Sequence, residues 1–228
     1  MAFELPLDRS RLGVASFLRD RVSRAISREH WTGVQGRAAE VGMDRFTLIV
    51  GAVGVVASRY TGASDVVVGS GAFGEQPRPL AIRIAVTPDA MVGDYLSGVQ
   101  SAIAAGAVRT VNAAAGPTQP AFRLMIVPAP GSSALCGAND VPRVNALGAA
   151  AADCDVVISL IENERDARLD AEYDPELYDA DTIERFLGHV EEAAWQLVAD
   201  VAAKIDALPI VTDAERNMLV REFNATRV

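Results

Sequence analysis

The sequence is poor in cysteine, in positive charge and in long apolar runs. Cys136 and Cys154 are its two cysteines, too few for the disulfide scaffold of a small secreted protein. The longest strongly apolar run, residues 46–57, is shorter than the roughly 20 residues that a membrane-spanning helix needs. No basic stretch followed by an apolar one opens the chain as a secretory signal would. These absences predict a cytoplasmic protein without a membrane segment.

Basic residues are outnumbered, and the imbalance lies toward one end of the chain. The 21 Lys and Arg residues face 30 Asp and Glu residues, giving a formal net charge of −9, which argues against nucleic acid as the main partner. Residues 151–228 alone hold seven basic and nineteen acidic residues. We interpret this acidic third as the solvated face of a helix. The alternative is a docking surface for a basic neighbour.

Apolar residues, by contrast, are plentiful and regularly spaced. Half of the 228 residues are apolar, enough for a packed core in one or two domains. Strand and helix periodicities alternate along the chain and predict a mixed α/β or α+β layer structure. The predicted strands are residues 21–26, 65–69, 80–86, 121–127, 156–161 and 167–173. The predicted helices follow Ser27, Asp44, the pair Thr87–Pro88 and either Asp179 or Asp181, with a short helix over residues 213–223.

The last long helix has the clearest pattern, because its apolar residues follow one stripe while acidic residues occupy the other faces. This pattern predicts that the stripe is buried against the rest of the protein. The predicted stripe consists of Ile183, Phe186, Leu187, Val190, Ala194, Leu197, Val201 and Ile205.

One glycine-rich segment, residues 69–74, matches the spacing of a dinucleotide-binding turn. That turn works when the third glycine opens a helix whose N-terminus holds the pyrophosphate. Here residues 75–79 contain two prolines and lead into another strand. We therefore predict a loop rather than a nucleotide site, and a free-standing small-molecule-binding module is the weakest hypothesis.

The remaining reactive side chains are isolated from one another. His30 and His189 each lie in a predicted helix, and we expect both to be surface or capped groups rather than catalytic bases. The acids in the Asp-Cys-Asp segment 153–155 do not by themselves converge as ligands of Mg²⁺ or Ca²⁺ must. Cys136 has no neighbour in the sequence that would activate its thiol. The residues alone predict no catalytic, cofactor-binding or metal-binding site.

Several segments resemble one protein family. Residues 60–70 (YTGASDVVVGS) place Tyr and Gly at the end of a buried helix and before a Val-rich strand. Residues 169–185 combine a strand with the start of a helix, and residues 208–216 and 223–226 look like a linker. Together with residues 4–9 (ELPLDR), they resemble the C-terminal lobe of the condensation domains of nonribosomal peptide synthetases, including the linker to an adenylation domain.

This resemblance implies a fold and a division of the chain. The implied fold is an α/β (α+β) two-layer sandwich, a chloramphenicol-acetyltransferase-like half with a mixed sheet of about five or six strands packed against helices. Residues 1–20 would form a lead-in that resembles the crossover between lobes. Residues 21–206 would form the lobe, and residues 207–228 the linker. The family works in secondary-metabolite and antibiotic biosynthesis.

The sequence departs from the family where the family's chemistry lies. The family's N-terminal lobe carries two adjacent histidines followed by Asp and Gly, and no residue here corresponds to the second, proposed catalytic histidine. A Gly-Phe-Val-Asn latch expected before Leu80 is missing, and residues 111–120 stand where the family has a His-Gln-Asp-Tyr-Pro motif. Asp155 occupies a strand opening and is expected to be structural. The resemblance thus implies a truncated lobe that does not catalyse peptide-bond formation by itself, since reactants meet between two lobes.

We therefore hypothesise an interaction platform for an adenylation domain that follows in the same polypeptide. A carrier protein is a further expected partner, nucleic acid and membrane are not, and no cofactor is expected. The expected interface residues are Leu208, Pro209, Ile210, Leu219, Phe223 and Asn224. The alternative is one half of a split condensation or acyltransferase enzyme, completed by a partner chain that carries the histidine motif.

Overall fold

The computed structural model of the chain describes residues 4–11, 18–72, 78–108, 122–130, 147, 149–162, 167–211, 215–218 and 221. The strands are β1 (Asp20–Ile26), β2 (Asp65–Ala72), β3 (Arg78–Ala85), β4 (Leu124–Val127), β5 (Val156–Glu162) and β6 (Ala167–Tyr173). The helices are α1 (Arg28–Glu40), α2 (Arg45–Thr61), α3 (Val92–Val108), α4 (Ala149–Ala152) and α5 (Ala180–Ala199), followed by a 3-10 turn (Ile205–Ala207).

The six strands form one mixed sheet in the order β1–β6–β5–β4–β2–β3. The three central strands β5, β4 and β2 run parallel, whereas β1, β6 and β3 are antiparallel to their neighbours. β5 and β6, consecutive in the chain, pair in antiparallel orientation, with Val156 opposite Tyr173 at one end and Glu162 opposite Ala167 at the other. The expected α+β fold, with five or six strands packed against helices, is confirmed.

Helix α2 shows why a segment that is apolar all round becomes a core element. Asp44 begins the helix as predicted, because its carboxylate accepts hydrogen bonds from the Thr47 backbone N–H at 2.8 Å and the Thr47 hydroxyl at 2.7 Å. The helix is buried from Phe46 to Ala57. Gly62 ends it at a φ of +72°, a conformation that costs glycine little. The last turn of α2 therefore lies at the edge of the core, where it can reach other elements.

Successive side chains of a strand point to opposite faces of the sheet, so the sheet separates two apolar clusters. Ile126 and Ile158 belong to the main core, which also holds the buried residues of α1, α2, α3 and α5. Their neighbours Met125 and Val157 point to the opposite face of the sheet and pack there with Phe122. The remaining buried members of this second cluster are Val127, Leu147, Ala151 and Cys154. The main core thus lies between the sheet and the four longer helices.

Several boundaries differ from the sequence prediction: β2 continues to Ala72 instead of ending at residue 69, and β4 begins at Leu124 instead of residue 121. The helix predicted to open at Thr87 and Pro88 begins at Val92, because residues 88–93 exchange backbone hydrogen bonds with residues 201–206, and Met91 forms a bridge with Lys204. For the same reason α5 ends at Ala199. Val201, predicted to continue its buried stripe, is 36 % exposed.

Some predictions fall outside the described residues. Cys136 and residues 111–120 are among them. Of the helix predicted over residues 213–223, residues 215–218 and 221 are described, and they are helical. Along the described parts of the chain, no individual helix has both the length and the hydrophobicity to cross a membrane. The pair α1 and α2 passes that test together, by length and composition only, with a bend of 104° between the two helices.

Candidate linker interface

The chain is anchored as it leaves α5 and approaches the predicted linker, residues 207–228. The backbone N–H groups of Ile205 and Asp206 donate to the carbonyls of Ala90 and Pro88, each at 3.0 Å. The guanidinium of Arg59, on the last turn of α2, donates to the carbonyls of Ile205 and Asp206, both at 2.9 Å. Because these contacts come from two separate elements, the backbone that leads into the linker has a fixed path over the lobe.

The described part of the predicted interface is partly used by the lobe itself. Leu208 is 5 % exposed and belongs to the main core, and Ile210 is half-buried against that core. Pro209 between them is exposed. Leu219, Phe223 and Asn224 lie outside the described residues. The linker therefore leaves the lobe with alternate side chains turned inward, and Pro209 is the described interface residue that faces solvent.

A second contact ties the linker to the lobe farther along the chain. The Tyr60 hydroxyl lies 2.8 Å from His189 Nδ1, and His189 Nε2 lies 2.8 Å from a carboxylate oxygen of Glu215. Burial raises the pKa of Tyr60 to about 12, with Arg185 lowering it and Glu215 raising it further. The expectation that His189 is a surface or capped group is wrong: the residue is 7 % exposed and hydrogen-bonded at both ring nitrogens.

An open groove of about 530 Å³ lies between α1, α5 and the linker. His30 meets the Trp195 ring edge-on, with 5.2 Å between the ring centroids, and lies 3.5 Å from the Glu191 carboxylate. Gly33 allows this packing, because a Cβ there would lie 3.2 Å from the Trp195 ring. The groove is lined by Ser27, Glu29, His30, Gly33, Glu192, Trp195, Gln196, Pro209, Val211 and Arg216. An aromatic ring, the two carboxylates of Glu29 and Glu192 and the basic Arg216 thus line the groove, and the Arg37 guanidinium lies 5.2 Å from the centroid of the Trp195 ring.

The lead-in is attached at a different place, through Asp155. The Asp155 carboxylate is 6 % exposed as a residue and accepts two hydrogen bonds from Arg11, at 2.6 and 3.1 Å, and one from Arg123 at 3.5 Å. Burial alone would lower the pKa of Arg11, but its hydrogen bonds to Asp155 and Glu4 outweigh burial and raise it. These contacts fit the structural role expected for Asp155.

Two segments that were not predicted to be reactive sites, the glycine-rich segment and the Asp-Cys-Asp segment, are part of the folded lobe. The loop predicted for the glycine pattern is wrong at residues 69–72, which continue strand β2 and pair with β3. The strand predicted after the pattern is present, from Arg78. Burial raises the pKa of the Cys154 thiol to about 12, which disfavours a thiolate. In the described parts of the chain, no three His, Cys, Asp or Glu side chains are grouped so that they could hold a metal ion.

Comparison with known proteins gives a consistent result at low sequence identity. No protein-family model matches the chain. Linear gramicidin synthase subunits D and C of Brevibacillus parabrevis are each 25 % identical over 250 positions, which cover 98 % of this chain. The same alignments cover 5 % and 3 % of those two proteins, so the chain spans a small part of the relatives it matches.

Comparison with solved structures shows the fold of this chain. A four-domain nonribosomal peptide synthetase bound to AMP and glycine matches with a TM-score of 0.75 and 15 % identity, over 95 % of this chain and 19 % of that one. The first condensation domain of the calcium-dependent antibiotic (CDA) synthetase matches with a TM-score of 0.67 and 20 % identity, over 89 % of this chain and 49 % of that one. The chain has the fold of a condensation-domain lobe.

The same lobe fold occurs in a protein complex. The X-domain from teicoplanin biosynthesis, in its complex with OxyB, matches the lobe with a TM-score of 0.73 and 18 % identity. The match covers 93 % of the lobe described here and 52 % of the other chain. This chain therefore covers about half of the X-domain chain and about half of the CDA condensation-domain chain.

The sequence does not predict the contact that shapes the linker side of the lobe. The pairing of His189 with Tyr60 and Glu215 joins α5, α2 and the linker, and no local pattern reveals such long-range contacts. Two signals were available. His189 lies one position before Val190 of the predicted buried stripe, and Tyr60 and Glu215 both lie in segments that resemble the family.

Proposed function

We propose that this lobe is a structural platform in the cytoplasm that holds an adenylation domain following it in the same polypeptide. The observation that carries the proposal is the attachment of the linker. Leu208 is buried in the core of the lobe, and Glu215 is hydrogen-bonded to the buried His189. A linker held at two points transmits the position of the lobe to whatever it connects, whereas a flexible linker would not.

Two of the matched structures support such a role. The four-domain synthetase carries this fold within a multidomain chain. The X-domain structure is a complex with a separate protein, OxyB, so the fold serves there as a protein-binding unit. By analogy, a carrier protein or another partner of the synthetase is a second candidate for binding to this lobe, beside the adenylation domain.

The side chains that line the groove indicate which side chains a partner would present to it. Trp195 supplies an aromatic surface, and the carboxylates of Glu29 and Glu192 line the same groove. A segment of the adenylation domain that presents a basic side chain next to an apolar one fits this combination, through burial on the ring and charge pairing at the rim. The excess of acidic residues in the last third of the sequence favours the same kind of partner.

The surroundings of the two histidines support a non-catalytic role for the lobe. His189 lies between Tyr60 and Glu215, and His30 lies against Trp195 and Glu191. Both therefore have contacts that hold elements of the lobe together. In this proposal the lobe supplies position and stability, and any condensation chemistry belongs to other parts of the synthetase.

The test is to produce the adenylation domain of the same synthetase with and without residues 1–228. We expect the domain without the lobe to unfold at a lower temperature and to be less soluble, because a partner that binds the folded state stabilises it. A fused unrelated domain of similar size is the control for a general solubility effect. Unchanged stability, solubility and adenylation activity without the lobe would contradict the proposal.

A second candidate function follows from the extent of the match. The lobe covers about half of the CDA condensation domain and of the X-domain. This correspondence suits one half of a split condensation or acyltransferase enzyme, completed by a chain that carries the histidine motif. Co-purification with such a chain, with condensation activity only in the mixture, would favour it. Lack of binding to candidate N-terminal lobes from the same gene cluster would count against it.

A further inference from the structure

We propose that Tyr60, His189 and Glu215 form a clasp that closes the linker onto the lobe, and that the closed clasp builds one wall of the groove beside Trp195. The three side chains come from α2, α5 and the linker, so the clasp joins three elements that are distant in the sequence. The inference deepens the proposed function, and it depends on that function only for the identity of the partner.

The hydrogen-bond partners assign the protons in the clasp. The Tyr60 hydroxyl keeps its proton at neutral pH because burial raises its pKa to about 12. It can therefore donate to His189 Nδ1 across 2.8 Å, which leaves Nε2–H to donate to the Glu215 carboxylate across 2.8 Å. A neutral imidazole has one acceptor and one donor nitrogen, so this arrangement satisfies both. The clasp predicts the Nε2–H tautomer of His189.

Glu215 contacts the buried His189 at 2.8 Å. Arg185 lies farther from it, at 3.9 Å, and is more than half exposed, and such a pair contributes little in water. The His189 side chain is 9 % exposed, so removing Glu215 leaves a buried donor without its partner. The clasp is therefore expected to open when Glu215 is lost, although the core beneath it stays folded.

The groove depends on the same contact. Pro209, Val211 and Arg216 line it from the linker side, and Trp195 and Gln196 line it from α5. Val211 and Arg216 flank the segment that ends at Glu215, so releasing Glu215 frees that wall to move away from Trp195. Trp195 is half-buried with the wall in place, whereas Trp31 is 6 % exposed in the main core. Opening the clasp should therefore change the accessibility of Trp195 and leave that of Trp31 unchanged.

Limited proteolysis of the full 228-residue chain tests the clasp. Trypsin cleaves after Arg216, which lies in the turn next to Glu215, and cleavage requires that turn to open. We expect Glu215→Ala to raise the rate of cleavage after Arg216 about tenfold, because a charged hydrogen bond to a buried partner is lost. Tyr60→Phe, which removes only the hydroxyl, should raise it less. Glu184→Ala, an exposed acid on α5, is the matched control and should cleave at the wild-type rate.

Quenching of tryptophan fluorescence by acrylamide gives a second readout. Glu215→Ala should increase quenching, and the increase should disappear in the double variant with Trp195→Phe. The thermal unfolding midpoint should change little, which separates clasp opening from loss of the fold. Equal cleavage rates and equal quenching in Glu215→Ala and wild type would overturn the clasp.

The tautomer of His189 tests the mechanism directly. Nitrogen-15 NMR of the imidazole rings should show His189 protonated at Nε2 at neutral pH, with Nδ1 as acceptor. A proton on Nδ1 would overturn the assignment of donors and acceptors in the clasp. All three measurements use the lobe without an adenylation domain, so their failure would leave the platform proposal standing. Conversely, an adenylation domain that is indifferent to the lobe would leave the clasp standing.

Discussion

The lead-in and the linker are both held against the lobe, but with a different balance of apolar and charged contacts. Leu5 of the lead-in is 6 % exposed and belongs to the main core, and arginine–carboxylate pairs hold the same segment: Arg11 bridges Glu4 and Asp155, and Arg9 pairs with Asp179. The linker relies on the buried Leu208 and on Glu215 bound to His189. The guanidinium groups of the lead-in are between about a third and a half exposed, at 33 % for Arg11 and 48 % for Arg9.

This difference predicts different responses to the solvent. Ion pairs that reach water weaken as salt is added, because the Debye length falls from about 10 Å at 0.1 M to about 3 Å at 1 M. Apolar burial and hydrogen bonds to a buried imidazole are much less sensitive to salt. The ion pairs of the lead-in should therefore weaken at high ionic strength, whereas the burial of Leu5 and the attachment of the linker should be less affected. An attachment that persists in changing conditions suits the segment that we propose positions the next domain.

The largest effect is expected at Leu208, the apolar anchor of the linker. Leu208→Ala removes a side chain that is 5 % exposed, and such a truncation in a core costs about 2–5 kcal/mol. Chemical denaturation monitored by circular dichroism should show this loss of unfolding free energy at both low and high salt. Val201→Ala, at an exposed aliphatic position near the linker, is the control and should change stability little. A loss below about 0.5 kcal/mol for Leu208→Ala would show that the linker is not anchored in the core.

The next largest effect is expected at Asp155, the anchor of the lead-in. Asp155→Asn keeps the shape of the side chain but removes the charge that Arg11 and Arg123 contact. Hydrogen bonds between charged groups contribute about 1.5–3 kcal/mol when shielded, and the partial exposure of both arginines places the expected loss near about 1–2 kcal/mol.

Salt separates this effect from that of Leu208→Ala. The destabilisation by Asp155→Asn should shrink between 0.1 and about 1 M NaCl, because the wild-type pairs weaken too. Asp153→Asn changes an exposed carboxylate two residues away and is the matched control. A loss that is independent of salt would mean that the lead-in is not held by charge, and the contrast with the linker would fail.

The clasp can be examined through the titration of Tyr60. Its folded-state pKa of about 12 lies above the ordinary 10.0, so its contribution is complete below pH 10 and is lost as the pH rises toward 12. Wild-type stability should therefore fall more steeply than that of Tyr60→Phe between these two values. Arg185 and Glu215, the charged groups that face Tyr60, are unchanged in both proteins. Burial also raises the pKa values of Tyr95, Tyr173 and Tyr178, but they titrate in both proteins and cancel. Parallel stability curves for the two proteins would contradict the burial of the Tyr60 hydroxyl within the clasp.

The fold could be predicted largely from the sequence because its elements have local signals. Asp44 and Gly62 mark the ends of α2, and the apolar run at residues 156–161 marks the strand β5. The start of α3 could not be predicted in this way. Thr87 and Pro88 form a good local helix start, but the backbone there bonds to residues 205 and 206 instead. A long-range pairing outweighs a local preference of about 1 kcal/mol.

The linker side of the lobe was less predictable for a related reason. Leu208 is expected at an interface because its segment resembles the family's linker, yet its burial in the lobe depends on the path fixed by Arg59. His189 looked like a surface group because one histidine on a helix carries no partner information. Its partners, Tyr60 and Glu215, are 129 and 26 residues away in the sequence, and only the fold brings them together.

The smallest effect is expected at Arg9, the most exposed pair of the lead-in. Arg9 pairs with Asp179 and donates to the Pro175 carbonyl at 3.1 Å, but the Arg9 and Asp179 side chains are 48 % and 56 % exposed. Exposed pairs contribute about 0.2–1 kcal/mol, because water screens the charges and both side chains lose freedom. A double-mutant cycle with Arg9→Gln and Asp179→Asn measures the coupling free energy between these two side chains, separately from the other interactions that each substitution removes.

The coupling between Arg9 and Asp179 should be below about 1 kcal/mol at 0.1 M NaCl and undetectable at about 1 M. Asp8 is an informative neighbour, since its carboxylate accepts from the Asp179 backbone N–H at 2.8 Å and from Thr182 Oγ1 at 3.1 Å. Asp8→Ala should therefore cost more than Arg9→Gln, near the value of about 1 kcal/mol typical of a capping side chain. A coupling above about 2 kcal/mol that survives high salt would place Arg9 among the strong anchors. The lead-in would then be attached as firmly as the linker, and the two segments would no longer differ in the way that their chemistry predicts.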